Sequence, residues 1–558
     1  MPTPPPELEV ASLADELKLP LPICRLLLAR GHRAPDTARQ FLRPRLDQLH
    51  DPLTMDGLPE AVHRLQSAIR NEEVILIHGD YDVDGMCSTA LLTRTIRTLG
   101  GRAVPFIPRR LVDGYDLGSA GVEAAASAGA TVVVTCDCGT SALEPIAALC
   151  AQGVDVIVSD HHLPGGPLPE CVAVLNPRRP GSRYPDADLA AVGVAFKLAL
   201  ALTRALGGNE NAVYRMLDLV ALATIADIAP LRGENRVFAR YGLRMLAQTE
   251  NVGLRALLRA SGLDGKTVTA GRVGFILAPR LNAVGRLGHA LRGVELLLAE
   301  NEHDANVIAR ELEELNRDRQ ALDQRTLDEA RQMVDALELE STYGIVLASD
   351  RWHAGVIGIV ASRIVEDTGR PALLIALDGN EGKGSGRSIS AFDLHAALGE
   401  CRESLIRFGG HRAAAGITIE RARVPDFAAR FNDVARERLT ADDLVREIRI
   451  DMEVGIDGGL AELETLLRHF EPFGMGNPAP VLAARGVRLA GPPRVVGKDG
   501  LKLRLSMPGG EFEALGWGMG SLASNLDAAL PLDLAFRLER DEYRGESRLQ
   551  ARLADVHQ

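Results

Sequence analysis

Cysteine is scarce and odd in number, with seven residues in a chain of 558. That count excludes the disulfide framework of a small secreted domain. Aromatic side chains make up only 4%, so any surface that stacks bases must do so with few residues. No uncharged apolar run approaches the roughly 18 residues needed to cross a bilayer. The best candidate, residues 189–206, carries Lys197 and Arg204 and reads as a buried amphipathic helix. The first ten residues, MPTPPPELEV, lack a basic segment and an apolar core, so no secretory signal is expected. What is present is ordinary globular composition, 46% hydrophobic and 25% charged, which excludes disorder throughout. At about 100–200 residues per domain the length implies three to five domains. A cytoplasmic, multidomain protein is expected.

Acidic residues outnumber basic ones, 75 to 63, for a net charge of −12. The excess is local. Residues 300–340 hold 13 acidic and 5 arginine side chains, whereas the last 68 residues balance 10 acidic against 9 basic. Basic grooves therefore remain open elsewhere, and bulk charge does not exclude a polyanionic partner.

Short apolar runs at 74–77, 103–107, 131–135 and 154–159 alternate with segments of helical length, including one over about 88–99. Strands alternating with helices predict a parallel, doubly wound sheet, whose ligands bind at the carboxyl ends of the strands. Residues 305–337 contain no Gly or Pro and repeat apolar residues at Ile308, Leu312, Leu315 and Leu322. This predicts one exposed connecting helix of roughly 50 Å. A second α/β unit is expected from 344–347 and 372–376, with a helix starting near Val356. Beyond Phe473-Gly474-Met475-Gly476-Asn477-Pro478 the chain turns to short strands, with an Asp499-Gly500 hairpin signal inside the alternating run 495–505. That predicts a small β-barrel. The expected divisions are 1–50 (helical), 51–304 (catalytic α/β), 305–338 (connecting helix), 339–442 (second α/β) and 443–558 (β-barrel).

Four segments set acids or histidines at predicted strand ends or beside the same crevice. They are His78-Gly79-Asp80-Tyr81-Asp82-Val83-Asp84-Gly85, Cys136-Asp137-Cys138-Gly139, Asp160-His161-His162, and Asp227 within an apolar helix. Each has a bland reading: an Asp after a strand often caps the next helix, and a lone helical Asp often pairs with an Arg. Gathered at one crevice, however, carboxylates repel, and a cation is their natural counter-charge. Oxygen and imidazole donors without thiolate favour Mn²⁺ or Mg²⁺ over structural Zn²⁺. Cys136 and Cys138 are read as packing residues.

The order Asp-Tyr-Asp-x-Asp-Gly, Asp-Cys-Gly, Asp-His-His, Ala-Asp resembles the DHH phosphoesterase superfamily. Three further segments resemble its RecJ branch: Pro279-Arg280-Leu281-Asn282-Ala283-Val284-Gly285-Arg286, Arg351-Trp352-His353-Ala354-Gly355 and Gly384-Ser385-Gly386-Arg387-Ser388. Gly409-Gly410-His411-Arg412 resembles the element of the associated DHHA1 domain. The likeness runs from about residue 50 onward. It implies a DHH domain, a DHHA1 domain and a nucleic-acid-binding OB fold in a metal-dependent exonuclease. Such an enzyme degrades single-stranded DNA from the 5′ end to 5′-mononucleotides in repair and recombination.

Carried over residue by residue, the resemblance implies two divalent ions, Mn²⁺ preferred and Mg²⁺ possible. His78, Asp82 and Asp137 would hold one, and Asp84, Asp137, His161 and Asp227 the other. Asp137 would bridge them, His162 would contact the scissile phosphate, and Asp80 would support the ligands from behind. Arg109, Arg280 and Ser385 are implied for the 5′-phosphate end, with Arg387 and His411 nearby and Asn282 and His353 in the matching motifs. Tyr115 is a base-stacking candidate along with Phe392, Phe473 and Trp517. Lys502 and Arg504 would present two cations on one strand face of the OB module. Implied partners are single-stranded DNA, a RecQ-type helicase and single-strand-binding protein. One departure stands out: the family pattern Gly-Tyr-Gly-Leu reads Gly114-Tyr115-Asp116-Leu117 here, adding an acid near the substrate path. A small-substrate DHH phosphoesterase would generally lack the connecting helix and OB module. A silent binding scaffold would have lost metal ligands.

Overall fold

Val, Ile and Leu fill the strands of the first sheet, as burial on both faces demands of a parallel sheet. These strands are Val74–Gly79 (β1), Arg102–Phe106 (β2), Val132–Cys136 (β3), Asp155–Ser159 (β4) and Ala173–Leu175 (β5). They run parallel in the order β2-β1-β3-β4-β5. The strand order reverses between β1 and β3, and the crevice opens there at the carboxyl ends. β5 has only three residues, too few to leave a sequence pattern. The computed structural model describes residues 5–110, 112–508, 510–543 and 546–558.

Behind this sheet the helix Ala191–Ala205 is buried at every position from 191 to 203, Lys197 included. It is a central helix and not an amphipathic one. Lys197 is tolerated there because its Nζ lies 2.5 Å from the equally buried Glu234. The described residues contain no helix long and apolar enough to cross a membrane.

The connecting helix runs over Glu302–Asp335, 34 residues, with Asn301 accepting a hydrogen bond from the Asp304 N–H (3.0 Å) at its start. It is not solvent-exposed throughout. Asn316, Arg319, Asp323 and Thr326 are buried in its middle. Arg319 and Arg363 both approach Asp323, at 3.4 and 3.5 Å. The charged pattern that suggests exposure is thus partly consumed against the helix Ile357–Thr368.

The second sheet holds Ile345–Ser349 (β6), Ala372–Asp378 (β7), Glu381–Arg387 (β8), Arg407–Gly410 (β9) and Ala414–Glu420 (β10), ordered β6-β7-β8-β10-β9. Only β6 and β7 pair in parallel. In β8 the glycines take the packed face. A Cβ on Gly382, Gly384 or Gly386 would stand within 2.9 Å of Ile375, Ile417 or Leu373. With period two, Ser385 and Arg387 therefore face the other way.

The third sheet comprises Met452–Glu453 (β11), Leu482–Val487 (β12), Arg494–Val496 (β13), Gly500–Met507 (β14), Gly510–Trp517 (β15), Leu532–Tyr543 (β16) and Glu546–His557 (β17). Its order is β11-β12-β16-β17-β15-β14-β13. The sheet of this β module is mixed: β11 pairs β12 and β15 pairs β17 in parallel, and the other pairs are antiparallel. Three N-terminal helices, Glu7–Leu17, Leu21–Ala29 and Pro35–Leu42, share a core with Leu467 and Phe470 at its entrance. Buried Arg236 donates to the carbonyls of Phe41 (2.8 Å), Phe470 (3.0 Å) and Glu471 (3.0 Å), so one guanidinium joins three parts of the chain. All seven cysteines are free.

Candidate metal centre

Loops leaving β1, β3 and β4 meet at the crevice. Asp82 caps the helix Val83–Thr98, its Oδ1 accepting from the N–H groups of Asp84 (2.9 Å) and Gly85 (3.1 Å). Asp84, in the first turn, accepts from Ala191 and Val192 N–H, both at 2.8 Å, and so anchors the start of the central helix. The cap of the helix after β1 is thus Asp82 and not Asp84, and capping is compatible with a second role, since carboxylate oxygens carry more than one lone pair. Asp137 adopts φ +67°, a left-handed conformation that Asp tolerates better than most residues. Asp160 accepts from His161 N–H (2.7 Å), Thr140 N–H (3.0 Å) and His162 Nδ1 (2.8 Å). Asp227 does not lie inside its helix. It is the cap residue ending Leu217–Ala226. The next residue, Ile228, turns the chain at φ +58°, a strained position for a β-branched residue.

Ligand atoms of three groups of side chains lie within 4.8 Å of one another: Asp80, Asp82 and Asp137; Asp84, His161 and Asp227; and Asp137, His161 and His162. Asp137 and His161 each belong to two of them. Asp80 thus stands with the ligand-capable acids and not only behind them. His78 enters none of the three; its Nδ1 is 3.6 Å from Cys138 Sγ. His78 Nε2, Asp80 Oδ1, Asp137 Oδ1 and both ring nitrogens of His161 are buried without a hydrogen-bond partner among the described residues. His161 Nε2 lies 3.2 Å from Asp137 Oδ1 and 3.6 Å from Asp227 Oδ2.

Unpartnered buried polar atoms cost about 1–3 kcal/mol each, and those of Asp80, Asp137 and His161 belong to the ligand groups. Burial first, then Asp82, pushes the Asp84 carboxyl up to about 7. Burial first, then Asp84 and Asp82, raises Asp227 to about 9. Asp80 and Asp137 are raised by burial and by neighbouring acids. Burial lowers His161 to about 4, keeping the imidazole in the neutral form that binds metals. The donor set therefore fits hard divalent cations bound by carboxylate and imidazole.

A cavity of about 610 Å³ is lined by Asp80, Asp82, Asp84 and Asp227 of these groups and by Arg110, Arg286, Arg387 and His411. It lies between the first domain and β8–β10 of the second. Tyr115, Asn282, Arg387 and His411 line it, as does His162. Tyr115 Oη is 3.1 Å from His162 Nε2. Ser385 stands behind Arg387, accepting from its Nη1 at 3.2 Å. Arg109 and Arg280 are not brought into the lining. Arg109 is bound to Asp113 at 2.9 and 3.0 Å, and Arg280 to Glu313 at 2.5 Å. His353 accepts from Gly355 N–H (3.0 Å) and is also outside the lining. In the β module Lys502 pairs with Glu513 (2.7 Å) and Arg504 with Glu511 (3.2 Å). The expected bare cationic strand face is neutralised by the acids of β15.

Two cavity arginines were given no role by the motifs, although Arg286 ends one of them. Arg286 follows Asn282 by four residues on the helix Ala278–Leu287, and i,i+4 spacing puts both on one face. Arg110 stacks over the Tyr81 ring at 4.7 Å; only its position beside Arg109 hinted at it. Burial and the neighbouring cations Arg110, Arg319 and Arg387 lower Arg286 to about 10, so the cluster is still cationic at neutral pH.

The chain matches three family models: the DHH family N-terminal domain over residues 74–224, the DHHA1 domain over 341–437 and the RecJ OB domain over 450–555. It is 36% identical to the single-stranded-DNA-specific exonuclease RecJ of Bacillus subtilis over 551 residues, covering 98% of this chain and 69% of that one. It is 35% identical to the Escherichia coli protein of the same name over 570 residues, 97% of each. Its fold matches the Mn²⁺ complex of Thermus thermophilus RecJ with a TM-score of 0.85 and 33% identity, covering all of this chain and 78% of that one.

Proposed function

Because the chain belongs to the RecJ family of single-stranded-DNA-specific exonucleases, we propose that its cavity hydrolyses single-stranded DNA one nucleotide at a time from the 5′ end. The observation that carries this reading is one cavity lined both by acids of the ligand groups, Asp80, Asp82, Asp84 and Asp227, with His162, and by Arg110, Arg286 and Arg387. The enzyme is a metal-dependent exonuclease. The proposed ligands for two ions are Asp82 and Asp137 with His78 or Asp80 at one position, and Asp84, Asp137, His161 and Asp227 at the other, Mn²⁺ being preferred and Mg²⁺ accepted. Divalent cations there supply Lewis-acid stabilisation of the charge that develops on the phosphoryl oxygens and acidify the attacking water.

The protein's own groups orient the strand. Arg286 and Arg387 grip phosphate oxygens with planar forks, and Ser385 fixes the Arg387 fork. His162, held at Nδ1 by Asp160, turns Nε2 toward Tyr115 and the cavity, where it donates to a phosphate oxygen. Tyr115 offers a ring to the terminal base. Arg109 and Arg280 can join the 5′-phosphate seat after exchanging Asp113 and Glu313 for the strand. Strand specificity requires separated DNA, which supports a place behind a helicase of RecQ type and beside single-strand-binding protein, in repair and recombination. Seven free thiols support a reducing, cytoplasmic setting.

A single-stranded 30-mer labelled at either end, incubated with Mn²⁺, tests the polarity. Immediate release of the 5′ label as a mononucleotide is the expected result, with the 3′ label persisting in a shortening ladder. The reverse order overturns the polarity. Disappearance of di- to tetranucleotides with an intact 30-mer overturns the substrate. Arg286→Ala should raise KM for the 30-mer about tenfold or more, since hydrogen bonds to charged groups are worth about 1.5–3 kcal/mol. Steady-state kinetics at fixed Mn²⁺ measure it.

A further inference from the structure

Asp116 stands where the resembling family pattern has glycine, and the structure shows what it does. Its φ is +72°, the left-handed region where glycine is at home and most other residues are strained. Its Oδ1 accepts two backbone hydrogen bonds, from Leu117 N–H (2.8 Å) and from Gly139 N–H (2.7 Å). The second reaches across the crevice to the turn that carries Asp137.

That turn is tightly specified. Asp137 is left-handed and its N–H donates to Ser159 O (2.9 Å). The Cys138 carbonyl accepts from Thr135 Oγ1 (2.7 Å). Gly139 has φ +104°, and a Cβ there would lie 2.8 Å from Thr135 Oγ1. Thr140 N–H donates to Asp160 Oδ2 (3.0 Å). Two acids therefore close the turn from opposite sides, Asp160 at residue 140 and Asp116 at residue 139. Asp160 simultaneously holds the backbone of the histidine pair. Asp116 simultaneously holds the loop whose preceding residue, Tyr115, reaches His162 (3.1 Å).

We propose that Asp116 is a positioning residue for the metal centre: its hydrogen bond to Gly139 fixes the left-handed turn that aims Asp137 at the ions. The inference rests on the metal-centre reading above. Groups that hold metal ligands in place typically govern affinity by 10–100-fold. The acceptor oxygen, and not the negative charge, does the holding.

Asp116→Asn keeps an acceptor oxygen and removes the charge. Asp116→Gly removes the acceptor and suits the left-handed backbone, so its fold is preserved, as circular dichroism can verify. Calorimetric titration of the full chain with Mn²⁺ alone should show Kd raised about tenfold or more in Asp116→Gly, and less than threefold in Asp116→Asn. Wild-type affinity in Asp116→Gly would overturn the proposal. Equal losses in both variants would also overturn it, by assigning the effect to charge. Failure of the wild-type chain to bind Mn²⁺ would instead refute the metal-centre reading itself.

Discussion

Asp137→Asn should abolish processing of single-stranded DNA, with kcat reduced about 10³-fold or more. Asp137 belongs to two of the three ligand groups, and its Oδ1 is buried with no hydrogen-bond partner among the described residues, so the change weakens both clusters together. A cation's stabilisation of transition-state charge is worth several kcal/mol, and at 1.36 kcal/mol per tenfold in rate about 4 kcal/mol corresponds to 10³. Asparagine is the informative substitution because it tolerates the left-handed φ of +67°; alanine would add backbone strain. A second readout separates ligation from general damage. Mn²⁺ binds the native state only, so at about 100 times Kd it stabilises by about 2.7 kcal/mol. Its addition should raise the wild-type melting temperature. The Asn variant should melt near the metal-free wild type and gain little from Mn²⁺. Retention of wild-type kcat, or of the full Mn²⁺ shift, would remove Asp137 from the centre.

The strands that build the crevice were legible because parallel strands are buried on both faces and appear as β-branched runs. Residues 74–77 and 131–135 locate β1 and β3 within about two residues. The acids were legible because motif spacing ties them to strand ends. What spacing does not carry is the partner of each charge. Arg109, Arg280, Lys502 and Arg504 all look free in one dimension. Asp113, Glu313, Glu513 and Glu511 respectively take them. Three of those acids, Glu313, Glu513 and Glu511, lie on a different element from the arginine or lysine they meet, so local sequence cannot announce the pairing. Arg286 shows the opposite case, since its helical spacing from Asn282 was available in the sequence and places it in the cavity. The middle of the connecting helix was misjudged for a related reason. Its charged surface is complemented by Arg363, which lies some 40 residues away in the chain.

Lys197→Met should be the most destabilising single change outside the crevice, lowering unfolding free energy of the first domain by about 3–5 kcal/mol. Lys197 Nζ donates to Glu234 Oε1 (2.5 Å) and to His50 O (2.6 Å). Glu234 also accepts from Tyr184 Oη (2.5 Å) and His50 N–H (2.8 Å). Methionine fills the volume but leaves a carboxylate buried without a cation, and that uncompensated charge dominates the loss. Adding Glu234→Gln removes the charge while keeping an acceptor oxygen for the His50 N–H, its amide NH2 then donating to the Tyr184 hydroxyl oxygen. The double variant should therefore recover at least half of the deficit, a coupling that a chemical-denaturation cycle can measure. The network lies about 9 Å along the same helix from Ala191, at 1.5 Å per residue, where Asp84 anchors the helix N-terminus. The N-terminus and the middle of the central helix are thus each tied to a buried acid, Asp84 and Glu234. Additive losses in the double variant would show that Lys197 contributes packing alone, and that the buried pair holds no net electrostatic share of the stability.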